Sequence, residues 1–314
     1  QLEQLGLEDV VLDEHCYVYG YLPGDPDYLT IGLNSHMDTS EQASGKDIKP
    51  RIIENYDGKD IVLSEGIVSS VERFPELKDY VGKTLVVTDG TTLLGADDKA
   101  GVAEIMEVLE TLVNDPSIKH GPIRVCFSPD EEIGGGTSYF DYDRFKVDFA
   151  YTLDGDRPDA IEYENFNAAS AKVTFRGLNI HPGAAKDKMV NSQYIAMEFQ
   201  SLLPAAQKPE HTEGYEGFIH LTDMEGEVEK STLRYISRDH DMDKFQEKKA
   251  VMEAAAEFIN RKYGENTCRL TLRDSYFNMK QCIEPVMHIV DRAKEAMRQA
   301  GMEPVEVPIR GGPD

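Results

Sequence analysis

No run of the sequence approaches the ~20 consecutive apolar residues that a membrane-spanning helix needs, and no cleavable signal pattern opens it. Positive charge is scarce: 33 lysines and arginines stand against 58 aspartates and glutamates, a formal net charge of -25. Such a surface repels nucleic acid and anionic membranes, so neither is expected as a partner. Cysteine is sparse as well. Cys16, Cys126, Cys268 and Cys282 lie far apart and form no C-x-x-C pair, which argues against a disulfide framework in a chain of this length. Reduced thiols in a cytoplasmic protein are the simpler reading. The first residue is Gln1 rather than Met, so the natural N-terminus is expected upstream.

What is there is a chain of 314 residues, 40% of them hydrophobic. That suffices for a buried core and, by length, suggests about two domains. The first half alternates strand and helix patterns. Residues 28–35 (YLTIGLNS), 84–88 (TLVVT), 123–128 (IRVCFS) and 149–153 (FAYTL) read as strands, and the apolar residues between 102 and 113 recur at helical spacing. The alternation predicts an α/β domain with a mainly parallel central sheet covered by helices. From residue 167 the order changes. Strands are expected over 169–175, 217–222, 228–236 and 267–272, and helices over 189–203 and 243–263. The order β-α-β-β-α-β is that of a ferredoxin-like α+β sandwich, read here as a domain inserted at 167–278. Residues 1–166 and 279–314 then form the outer domain, with a helix over 285–300 and a short strand over 305–309.

Four polar clusters each follow one of the predicted strands: His36-Met37-Asp38, Gly95-Ala96-Asp97-Asp98-Lys99, Asp130-Glu131-Glu132 and Asp154-Gly155-Asp156. In open α/β sheets, sites form beyond the carboxyl ends of the strands, so the clusters are expected to converge. Taken singly, each has a plainer reading. Asp97 or Asp98 suits a helix N-terminus, and the other acids suit exposed turns. Taken together they need a cation, because carboxylates at close range raise one another's pKa. One imidazole with several carboxylates suits zinc or a related divalent ion. Two metals ~3.5–4 Å apart sharing a bridging acid would hold the most carboxylates with least repulsion.

The order H-x-D, G-A-D-D-K-A-G, D-E-E-x-G and a strand ending in Asp resembles the co-catalytic dizinc exopeptidase family, and within it the tripeptide aminopeptidases of the peptidase T group. Residues 36–40 (HMDTS), 92–101 (TLLGADDKAG), 164–170 (ENFNAAS), 181–183 (HPG), 213–218 (EGYEGF) and 308–312 (PIRGG) carry the likeness over nearly the whole chain. The resemblance implies that His36 and Asp154 bind a first zinc, Glu132 a second, and that Asp97 bridges them. Asp38 would orient His36, and Glu131 would be the general base for a zinc-activated water. It also makes the inserted domain a lid, with His181 reaching the substrate, Arg238 taking a peptide's C-terminal carboxylate and Arg310 a further contact. Short peptides, tripeptides above all, are the implied substrates, and both monomer and homodimer stay open. A related deacylase or dipeptidase would share every metal residue. A binding protein that kept the scaffold is the reading from another class, and the intact Glu131 speaks against it. The pattern departs from the family at Pro313, where Thr is usual. The second zinc's histidine near the C-terminus is not in this sequence, and His288 is a poor substitute, so residues at both ends are expected to be missing here.

Overall fold

Alternating apolar side chains at Ile123, Val125 and Phe127 face one way and Cys126 the other, all buried. This period-two pattern makes the segment a strand covered on both faces. The computed structural model describes residues 1–155 and 157–312. Asp156, Pro313 and Asp314, which the motif reading touched, lie outside the described residues. The chain forms two compact units that divide after Gly155.

In the first unit, β1 (Glu8–Leu12), β2 (Val18–Leu22) and β3 (Ile31–His36) are followed by the short strands β4 (Arg51–Ile53), β5 (Ile61–Ser64), β6 (Ile67–Ser69) and β7 (Leu85–Val87). Then come α1 (Ala96–Asn114), β8 (Ile123–Ser128), the single turn α2 (Tyr142–Phe145) and β9 (Phe149–Thr152). The main sheet has the order β1-β2-β8-β3-β9. Its β8–β3 and β3–β9 ladders are parallel, while β1–β2 and β2–β8 are antiparallel. The sheet is therefore mixed, and its parallel half is the half that carries the polar strand ends. Ile105 and Leu109 of α1 pack with Leu33, Ile123, Val125 and Phe127 on one face. Tyr17, Tyr19, Cys126 and Phe145 fill the other.

One expectation changes. Residues 84–88 do not enter the main sheet: β7 pairs with β4 alone, in a separate two-stranded sheet. Val86 is 51% exposed, so this strand has no second face to bury. The Gly95–Lys99 cluster reaches the site on the loop that opens α1.

The second unit holds β10 (Ala160–Ile161), β11 (Asn167–Arg176), α3 (Ser192–Leu202), β12 (Phe218–Gly226), β13 (Lys230–Asp239), α4 (Met242–Tyr263), β14 (Cys268–Tyr276), α5 (Lys280–Ile283), α6 (His288–Gln299) and β15 (Val305–Glu306). Its four-stranded sheet has the order β12-β13-β11-β14 with every ladder antiparallel. With α3 and α4 between the strands in sequence, this is the expected ferredoxin-like arrangement. Phe175, Phe199, Leu233, Met252 and Ile259 are fully buried between helices and sheet. Residues 305–312 run beside 159–166 in parallel fashion: Val305 N–H donates to Asp159, Val307 to Ile161 and Ile309 to Glu164, and Phe166 N–H donates to Gly311. Among the described residues no helix is long and apolar enough to cross a membrane.

Candidate metal centre

β3 delivers His36 with its side chain fully buried. Its Nδ1 lies 3.0 Å from the backbone oxygen of Asp38. A carbonyl can only accept, so Nδ1 carries a proton, and Nε2 is the nitrogen left to offer a lone pair to a metal once its own proton is lost. Nε2 faces acids: Asp97 Oδ1 at 2.8 Å, Asp154 Oδ2 at 3.7 Å and Glu131 Oε2 at 3.9 Å. One ligand atom from each of His36, Asp97 and Asp154 falls within 4.8 Å of the others. Acceptors converging on an acceptor require a cation between them. In the metal-free protein a proton serves; the donor set itself, one imidazole with carboxylates, fits a divalent metal.

The electrostatics agree. Burial pushes the Asp154 carboxyl up, the Asp98 carboxylate adds to it, and the pKa reaches about 7. For His36, burial disfavours the imidazolium, but the hydrogen bond to Asp97 and the charges of Asp154, Glu131 and Asp38 outweigh it, so its pKa is raised.

The G-A-D-D-K-A-G segment folds as it does for two local reasons. Gly95 adopts φ 68° and ψ 35°, the left-handed region where a Cβ is strained, and a Cβ there would also stand 2.0 Å from Lys99 Nζ. Gly101 lets α1 approach the end of β9: a Cβ would stand 1.9 Å from the Leu153 oxygen. The two adjacent aspartates have opposite fates. Asp97 is exposed, with 70% of its side chain accessible, and turns to His36. Asp98 is 2% exposed. Its Oδ2 accepts from Ser35 Oγ at 2.6 Å and His36 N–H at 3.2 Å, and its Oδ1 from Gly101 N–H at 3.1 Å. Burial raises its pKa against these hydrogen bonds.

Asp130 takes a left-handed φ of 62° after β8 and starts a single 3-10 turn over Glu131–Ile133. The Asp38 carboxylate accepts the N–H of Glu131 at 3.2 Å and of Glu132 at 3.1 Å. It also lies 3.3 Å from His36 Nδ1. Among the described residues the tight ligand group is His36, Asp97 and Asp154; it does not include Glu132.

In the second unit, His181 is exposed and its Nδ1 accepts from Gly183 N–H at 3.2 Å. Arg238, at the end of β13, donates from one terminal nitrogen to the Arg310 oxygen at 3.2 Å. The guanidinium of Arg310 is engaged by the 212–216 loop. It donates to the carbonyls of Gly214, Glu216 and Thr212 and to the Thr212 hydroxyl, and it lies over Phe166 at 5.2 Å.

Sequence reasoning missed two groups. Asp98 and Ser35 were hidden because two adjacent acids look alike on paper. Asn165, Asn167 and Asn278 were missed because they meet only after folding: Asn278 N–H donates to Asn167, Asn165 N–H to Asn278, and Asn167 Nδ2 to Asp239 and His240.

Comparison with known proteins bears on this centre. Peptidase T of Alkaliphilus oremlandii is 56% identical over 320 residues, covering 100% of this chain and 78% of that protein. The chain belongs to the peptidase T family. Peptidase T of Clostridium novyi is 54% identical with the same coverage. Residues 163–267 match a family model described as a peptidase dimerisation domain, which spans most of the ferredoxin-like part. Among solved structures, the aminopeptidase PepT of Bacillus cereus superposes with a TM-score of 0.77 at 25% identity, covering 99% of this chain and 77% of that one. A tripeptidase of Staphylococcus aureus gives 0.78 at 22% identity with the same coverage, a likeness of fold. Kinship to peptidase T accounts for four polar clusters at successive strand ends and loops around a ferredoxin-like sequence order.

Proposed function

We propose that this peptidase T family member is a metal-dependent aminopeptidase that removes the N-terminal residue of tripeptides, using two zinc ions per subunit. The observation that carries the reading is the convergence of His36, Asp97 and Asp154 within 4.8 Å, with Glu131 3.9 Å from the same imidazole nitrogen. His36, Asp97 and Asp154 would hold one ion; Asp97 and Glu132 would contribute to the other. Bound metal supplies Lewis-acid polarisation of the scissile carbonyl and makes water acidic enough to react near neutral pH. Glu131 takes the proton of the attacking water and returns it to the leaving amine. Asp38 keeps His36 in the tautomer that frees Nε2 and holds the turn that presents Glu131.

Arg238 is assigned the peptide's C-terminal carboxylate, for which a guanidinium offers paired donors. Arg310 supports it by fixing the 212–216 loop and accepting from Arg238 through its own carbonyl. His181, exposed at the turn before Pro182, is assigned to the substrate.

The test is an assay of chelator-treated protein on tripeptides, dipeptides and N-acylated amino acids, with and without added zinc. Zinc-restored release of the first residue from tripeptides is expected. Preferential cleavage of N-acylated amino acids would replace this reading with a deacylase, and metal-independent turnover would discard it.

A further inference from the structure

The second aspartate of the Asp97-Asp98 pair has a carboxylate that no step above uses, although it is 2% exposed and accepts the backbone N–H of His36. Burying an anion is costly unless its oxygens are satisfied, and here three donors converge on them. Two come from the end of β3, the Ser35 hydroxyl and the His36 N–H, and the third from the Gly101 N–H in the first turns of α1. One carboxylate thus ties the strand that carries His36 to the segment that carries Asp97. Only an ionised carboxylate accepts all three: an asparagine would turn an N–H₂ toward one of these donors. Ser35, itself fully buried, spends its hydroxyl on this contact, and that hydroxyl also lies 3.0 Å from the Asp98 backbone oxygen.

We infer that Asp98, with Ser35, is a positioning residue that fixes His36 against Asp97 and thereby sets the affinity of the centre for a divalent cation. The inference rests on reading the cluster as a metal centre. Asp98 is not part of the ligand group, and each of its oxygens already accepts at least one hydrogen bond. Its action is on the relative placement of two ligands that are 61 residues apart in the chain. Partners of this kind behind a ligand typically govern metal affinity by about 10–100-fold.

The experiment measures zinc affinity by competition with a chromogenic chelator, and the visible absorption of the cobalt(II)-loaded protein, for the parent chain, Asp98→Asn, Ser35→Ala and the double variant. Melting temperatures of the metal-free proteins are recorded alongside. Zinc affinity is expected to fall about 10–100-fold in Asp98→Asn and less in Ser35→Ala, with altered cobalt absorption in both. The double variant is expected to be no weaker than Asp98→Asn alone, because the two residues act through one contact. A purely structural role would lower the melting temperature and leave the affinity of the folded protein unmoved. That result, with an unchanged cobalt spectrum, would overturn the inference. Should Asp98→Asn fail to fold, Ser35→Ala, which keeps the charge, decides by the same readings. Failure of the parent chain itself to bind zinc would sink the metal-centre reading and this inference with it, and is told apart by the parent control.

Discussion

The carboxylate of Asp38 accepts the backbone N–H of Glu131 at 3.2 Å, and that of Glu132 beside it. The same residue offers its backbone oxygen to His36, so one aspartate holds both the imidazole and the turn that presents Glu131, the proposed base. Asp38→Asn halves the acceptor capacity that holds the turn. It is expected to lower kcat by about 10–100-fold with a smaller change in KM, measured by steady-state hydrolysis of a tripeptide.

Glu131→Gln keeps the size of the side chain and removes its basicity. A fall in kcat of about 10²–10⁴-fold is expected, with zinc content per chain unchanged by elemental analysis. Full activity in this variant would remove Glu131 from the base role.

The raised pKa values give a sign to the pH dependence. Asp154 at about 7 and His36 above its ordinary value both hold protons more tightly in the folded state than in the unfolded chain. Where the folded state binds more protons, stability falls as pH rises. Metal-free protein is therefore expected to melt at a higher temperature at pH 6 than at pH 8, as far as these two groups are concerned. A metal must displace those protons, so zinc affinity is expected to run the other way and weaken as pH drops below about 7. Calorimetric titration in buffers of different ionisation enthalpy would read the released protons directly.

Gly101→Ala would place a methyl group 1.9 Å from the Leu153 oxygen and 2.7 Å from Asp98 Oδ1. The backbone cannot yield cheaply there. A loss of about 1–3 kcal/mol is expected, read from the urea midpoint, together with weaker zinc binding, since Asp154 follows Leu153.

In the second unit, Lys248 Nζ lies 2.5 Å from Asp239 Oδ2, and both side chains are almost fully buried. Lys248→Met would strand the carboxylate. Breaking such a pair from one side costs about 3–5 kcal/mol, so the loss should be larger than in the Lys248→Met, Asp239→Asn double variant, as thermal denaturation would report.

Much of this was legible in the residues because apolar strands that end in acids announce both a sheet and its functional edge. Ile31–His36 and Ile123–Ser128 are apolar strands of this kind, each with an acid, Asp38 or Asp130, two residues past its end, and the ferredoxin-like order followed from periodicity alone. The pairing partners were not legible. The residues of β7 look like those of a buried strand, yet only tertiary packing decides which sheet admits them. Nothing local distinguishes Asp97 from Asp98 either; Ser35, 63 residues from Asp98 in the chain, makes the choice. The engagement of Arg310, expected as a substrate contact, with the 212–216 loop was not legible either, because it depends on a fold that brings together residues 94–98 apart.

The parallel ladders of β3 have a kinetic consequence. Parallel neighbours cannot be joined by a tight turn, and the site contacts that depend on them span wide separations, such as the 93 residues between Asp38 and Glu131. Contacts of that range form late, after the entropy of closing long loops has been met. The hairpin of β12 and β13, by contrast, turns over within a few residues. The main sheet has a local hairpin too, β1 with β2, but the contacts of the ligand cluster lie outside it. The cluster is therefore expected to form only as its parallel ladders close, so that a cation would join an assembled frame rather than nucleate it.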